Sequence, residues 1–365
     1  MAEAPTLAQT LLQLVDDGLW DNPWHSLAEA VADLTDADLE YRPVAGVTGH
    51  WGSDMARPAR YGARAILRHL LGATVEAGEL LPAPAEGRSE SWADLQPFDW
   101  EGSAADLIHA AEVAHREARD RAAALDEAQL WEPAASEGPL AGFSCAEVVA
   151  QCLVLHPQWH FGQLALLPKW RRMGGGAPPT PAAPSCDESL APCGDWPFHL
   201  PPVTTRREVL VEVLRQAQEA DPWHAFERVL SGLTDEEATW HHHPDTEEGQ
   251  ALPIVQYCLH VASCDVIYAD MAFGERRNDW RWAAELVGAA DGRPPAETAA
   301  TMSRRGHAFL LERLAEASDE ALEAVHEMHH GHAMTGWQVV AAMVQHRLWH
   351  AGQIALIREA YAGGG

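Results

Sequence analysis

His346-Arg-Leu-Trp-His350-Ala-Gly-Gln353-Ile-Ala-Leu356 repeats, 190 residues further along the chain, the pattern His156-Pro-Gln-Trp-His160-Phe-Gly-Gln163-Leu-Ala-Leu166. In an α-helix, residues four apart share a face. His346 and His350 therefore point the same way, within the stripe Val339, Met343, His346, His350, Gln353, Ile357. The first block has the matching stripe Val149, Leu153, His156, His160, Gln163, Leu167. Apolar flanking members turn such a stripe toward a helical core. A buried polar group without a partner costs roughly 1–3 kcal/mol, and one metal ion would satisfy both imidazoles of a pair. A third nitrogen comes from upstream: His69 precedes His156 by 87 residues and His260 precedes His346 by 86. Three protein ligands with positions left open is how catalytic metal sites are built, whereas closed structural sites take four.

Working outward, the chain repeats itself elsewhere. Asp21-Asn-Pro-Trp-His25 returns as Asp221-Pro-Trp-His224, and Leu34-Thr-Asp36 as Leu233-Thr-Asp235. Blocks recurring in one order imply a duplicated domain, since a solenoid repeat is usually about 20–50 residues. The stretch from Met173 to Pro184 is rich in Gly and Pro and lacks periodicity, which marks a linker. The expected organisation is a helical bundle over 1–171, a Pro/Gly-rich linker over 172–203 and a second bundle over 204–365. Within the copies the patterns predict helices near 7–14, 59–81, 104–125 and 144–167, matched by 209–217, 252–273, 296–317 and 335–361. Ser144 and Thr335 are N-cap types. Strand signals are weak, so the fold class is all-α, and four main helices with short loops suggest an antiparallel bundle in each copy. Pro157 falls between His156 and His160, where proline removes a backbone hydrogen bond and clashes with the preceding turn. It implies either a kinked helix or a decayed first site.

Composition narrows the function. The 365 residues carry 54 Asp and Glu against 25 Lys and Arg, a formal charge of −29. Such a field repels phosphate backbones and anionic lipid surfaces, so neither nucleic acid nor membrane is an expected partner. No apolar run reaches the roughly 20 residues of a spanning helix, and Met1 to Leu12 lacks the pattern of a secretory signal. The six cysteines form no CxxC pair and suggest no disulfide framework. The expected location is cytoplasmic.

Other side chains carry two readings. His25 and His224 follow a proline at a helix start. They are either packing and capping elements or proton-transfer groups at the mouth of the pocket. Gln163 and Gln353 either bond a metal-held water or cap a buried carbonyl. Gly162 and Gly352 allow close helix packing. Cys264, one turn after His260, reads as a small core residue rather than a soft ligand. The histidines at 241–243, 329, 330 and 332 read as surface loop residues.

The Trp-His elements, the mid-helix His69 and His260, and the two HxxxHxGQ blocks together resemble the DinB family of metal-binding four-helix bundles. The resemblance covers both copies. It implies an up-down-down-up bundle in each, and a divalent metal (zinc, nickel or iron), up to one per domain, held by His69, His156 and His160 and by His260, His346 and His350. Members with assigned roles include thiol-dependent transferases, a thiol-dependent isomerase and a domain of sulfoxide synthases. By that analogy the protein is expected to use the metal as a Lewis acid, activating water or a thiol in transfer or hydrolysis on a small molecule. The alternatives are a non-catalytic metal- or small-molecule-binding protein and an Fe(II) redox enzyme. The two bundles are free to pack on each other.

Overall fold

The computed structural model describes residues 6–22, 24–43, 62–82, 102–134, 140, 142–173, 200, 201, 203, 205–221, 224–241, 252–328 and 331–363. Pro23, Pro222, His242, His243, His329, His330, Cys186, Cys193 and most of the expected linker lie outside them.

The first half begins with α1 (Leu7–Asp16), closed by a reciprocal capping box between Thr6 and Gln9. A π-helical turn, Asp17–Asp21, follows directly. The short α2 (Leu27–Val31) and α3 (Asp36–Leu39) come next, then α4 (Ala63–Leu80) and α5 (Ala104–Ala123). Ser144 caps α6 (Cys145–Val148) with Glu147 in a full capping box. A seven-residue π-helix, Val149–Leu155, leads from α6 into α7 (His156–Arg172).

The second half contains α8 (Arg206–Arg215), which passes into another π turn, Gln216–Ala220. Then come α9 (Phe226–Leu230), α10 (Asp235–Thr239), α11 (Ile254–Phe273), α12 (Trp280–Val287), α13 (Pro295–Glu316) and α14 (Asp319–Glu323). A small antiparallel hairpin pairs β1 (Val325–Glu327) with β2 (Ala333–Thr335), and α15 (Gly336–Gly363) ends the chain. At its start Thr335 and Gln338 bond each other's backbone and side chain as a cap. Among the described residues the fold is all-α apart from this hairpin and one isolated bridge between Pro133 and Ser144.

The π-helix before Pro157 resolves the conflict between that proline and helical continuity. A π turn widens the backbone to i→i+5 spacing. Pro157 then falls in the first turn of α7, where a missing N–H costs nothing. The helix continues in register through His160, so the proline does not separate the histidine pair.

Each half packs long helices side by side, α4 on α5 and α11 on both α13 and α15. The halves meet along α7 and α15. This crossing is reciprocal. A Cβ on Gly162 would collide with the backbone carbonyl of Trp349, and one on Gly352 with the carbonyl of Trp159. Both glycines permit a backbone approach that any side chain would block. One contiguous apolar core runs from Leu7 and Leu11 through Phe161 and Trp170 to Val209, Val340 and Ile354.

Candidate metal centres

Two clusters of imidazoles lie in the bundles. In the first, His69 comes from α4 and His156 and His160 from α7. His69 Nε2 is 2.8 Å from His156 Nε2. The rings of His156 and His160 stand perpendicular, with centroids 4.7 Å apart. One nitrogen from each of the three lies within 4.8 Å of the others. In the second, His260 comes from α11 and His346 and His350 from α15. His346 Nε2 is 3.0 Å from His260 Nε2 and 3.1 Å from His350 Nε2. His260 is exposed on one edge, whereas His346 is buried.

Gln163 and Gln353 take a role the sequence left open. His160 Nδ1 donates to Gln163 Oε1 at 2.7 Å, and His350 Nδ1 to Gln353 Oε1 at 2.7 Å. The amide oxygen can only accept, so it fixes the proton on Nδ1 and leaves Nε2 as a lone pair facing its neighbours. Outer partners of this kind orient histidine ligands and set their tautomer.

Burial keeps these rings neutral. His156, His160, His346 and His350 are held well below the ordinary imidazole value, by burial first and by neighbouring imidazoles second. His69 is lowered to about 4 for the same reason. Neutral imidazole is the ligating form.

In the first cluster the three imidazoles form one donor group, whereas in the second His346 belongs to two groups, one with His260 and Cys264 and one with His25 and His350. Imidazole nitrogen binds zinc at about 2.0–2.1 Å, so two donors to one ion lie at most about 4 Å apart; the bonded pairs here are 2.8–3.1 Å apart. Hydrogen bonds alone leave a gap. His346 Nε2 faces two nitrogens with at most one proton to give, while its Nδ1 is buried with no partner. Cys264 Sγ lies 3.9 Å from the His260 ring nitrogens, within a possible donor group with His260 and His346. Burial pushes that thiol up, away from the thiolate a metal requires.

The two Trp-His histidines are each placed at the other half's cluster. The His224 ring is 5.2 Å from His156 and 5.3 Å from Trp159, centroid to centroid. The His25 ring is 5.0 Å from His346 and 5.4 Å from Trp349. The residue repeated before each has a simple job: the side chain of Asn22 accepts from the backbone N–H groups of Trp24 and His25, and Asp221 accepts from that of His224. Such Asx turns explain the Asn or Asp three residues before each histidine. Asp221 also accepts from His224 Nδ1 at 3.0 Å.

Sequence reading missed a buried ion pair and a cavity. Arg347, fully buried beside His346, forms an ion pair with Asp265 of α11 and a hydrogen bond to Gln218. This ties α15 to α11 one residue away from a proposed ligand. Asp265 was the available signal, one of two carboxylates, with Asp270, in a largely apolar helix. His332 is exposed, in keeping with its reading as a surface histidine, and packs edge-on against Trp24 at 5.1 Å. A cavity of about 250 Å³ lies there, lined from both halves by Asp17, Asn22, Trp24, His332, Gln338 and Gln345 among others.

Residues 202–354 match the model of the DinB superfamily. The matched stretch contains His224, His260, His346 and His350. No curated protein and no solved structure matches the chain. None of the described helices is long and apolar enough to cross a membrane.

Proposed function

We propose that the protein is a DinB-like metalloprotein in which both halves are copies of one bundle, each holding a divalent d-block ion through three imidazoles. His69, His156 and His160 would hold one ion, and His260, His346 and His350 the other. The observation that carries this is the mutual approach of the His69, His156 and His160 nitrogens in the first half and the contacts of His346 Nε2 with both His260 and His350 in the second, with Gln163 and Gln353 fixing matching tautomers. When bound, such an ion supplies Lewis acidity that lowers the pKa of a held water or thiol. That supports transfer or hydrolysis on a small molecule, and a cavity of about 250 Å³ lies close by in the chain. Trp24 and Gln345, which line it, are the chain neighbours of His25 and His346. At the first cluster, the bond from His224 Nδ1 to Asp221 holds that ring in one tautomer, a suitable arrangement for orienting a substrate or moving a proton.

The test is elemental analysis of protein purified without a histidine tag or added metal. Two ions per chain are expected, falling to about one in His350→Ala or His160→Ala. Unchanged metal in His260→Ala, His346→Ala and His350→Ala alike rejects the assignment of the second cluster. For the enzymatic part, cobalt-loaded protein should change its visible spectrum on adding a small thiol or azide. A spectrum indifferent to both identifies closed, non-catalytic sites.

A further inference from the structure

The first half's Trp-His element is pinned to the second half. Asn22 Nδ2 donates to Gln345 Oε1, immediately before His346, while Asn22 Oδ1 holds the turn through Trp24 and His25. A ring nitrogen of His25 and one each from His346 and His350 lie within 4.8 Å of one another. The His25 and His350 centroids are 6.4 Å apart. His25 Nδ1 is buried and has no hydrogen-bond partner. Packing alone leaves that atom unexplained, because an unpaired buried nitrogen is destabilising. His224 makes the contrast. Its Nδ1 is bonded to Asp221 and lies 3.2 Å from Gln151 Nε2, and it stands beside the first triad without joining its donor group.

We propose that the second metal centre is shared between the halves, with His25 joining His260, His346 and His350 as a fourth imidazole ligand. This rests on the reading of those three residues as a metal site. Four neutral nitrogen donors select a borderline divalent ion such as Zn²⁺, Ni²⁺, Fe²⁺ or Co²⁺, and discriminate against Ca²⁺ and Mg²⁺, which take oxygen. Ligation by His25 would also clamp the segment around residues 22–25 onto α15. The first centre, by contrast, keeps three ligands and the more open coordination.

The experiment uses the full chain carrying His69→Ala and His160→Ala, so that only the second centre binds, with Co²⁺ as probe. In this background His25→Ala should bind Co²⁺ at least about 10-fold more weakly in competition with a chelator, the lower end of what losing even an outer partner of a ligand costs. Its visible bands should move as solvent replaces a nitrogen, and added imidazole should restore them. His25→Gln, which keeps more of the packing, should show the same loss with unchanged far-ultraviolet circular dichroism. If both His25 variants keep the affinity and bands of the background while His350→Ala abolishes binding, the shared centre is overturned and the three-histidine site stands. If the background protein binds no Co²⁺, the three-histidine reading itself fails.

Discussion

At the scale of single residues, the positions of greatest consequence are the partners of the histidines. Gln353 accepts from His350 Nδ1 and is itself buried. Gln353→Leu keeps the volume and removes the acceptor, so the ring loses its fixed tautomer. We expect metal affinity at the second centre to fall about 10–100-fold with the fold intact, measured by chelator competition alongside circular dichroism. An affinity equal to wild type would mean that the ring is oriented by packing alone. Arg347 presents the opposite case, a structural charge. Burial pushes the Asp265 carboxyl up to about 6 even though the adjacent Arg347 guanidinium pulls it down. Arg347→Ala would strand that carboxylate in the core, at a cost of about 3–5 kcal/mol, readable as a lowered denaturation midpoint. The histidines were legible in the sequence because i, i+4 spacing and a third residue at a repeated interval survive in one dimension. Asp265 and Arg347 were not, being 82 residues apart with no repeated counterpart.

Among the elements, the main helices followed the apolar periodicity to within a few residues at each end. The expected helix over 59–81 runs Ala63–Leu80, and the one over 252–273 runs Ile254–Phe273. The π segments did not follow from it, since one extra residue in a turn leaves composition unchanged and only shifts the stripe. Proline at 157 hinted at them, and its true effect was to move the start of α7 rather than to break it. The α7–α15 crossing was half legible: Gly162 and Gly352 signalled close packing, but not that each faces a tryptophan of the other half. Gly162→Ala should destabilise the folded protein by about 1–3 kcal/mol through overpacking against the Trp349 carbonyl. Gly352→Ala should do the same against Trp159. Denaturant melts unchanged in both variants would show that the helices separate at little cost.

For the whole molecule, the shared core predicts that the halves do not part readily. A protease cut within 174–199, where the sequence is rich in Gly and Pro, should leave both fragments co-eluting in size-exclusion chromatography. Fragments that separate without denaturant would show the α7–α15 contact to be weak. Acid should act on the molecule as a unit. Burial lowers His25 to about 3, His69 and His115 to about 4 and His307 to about 2. Each folded value lies below the unfolded one of about 6.5, so the unfolded chain takes up these protons first. Stability is therefore complete above about pH 6.5 and is lost as pH falls from there toward the folded values. The melting temperature of chelator-treated protein should drop between pH 7 and pH 5, and a flat profile would contradict neutral buried imidazoles.

The reciprocal crossing of α7 and α15 has a consequence for heredity. In a symmetric dimer of identical subunits, every substitution is copied to both sides of a two-fold contact. Here both sides are written into one polypeptide, so a change on one side leaves the other untouched. Pro157 already stands where the second block has Arg347, and Asn22 where it has Asp221. His224 is tethered by a carboxylate while His25 Nδ1 is left unpaired. Joining the halves in one chain leaves each of the two proposed centres free to change separately, while each histidine cluster still leans on the other half for its walls.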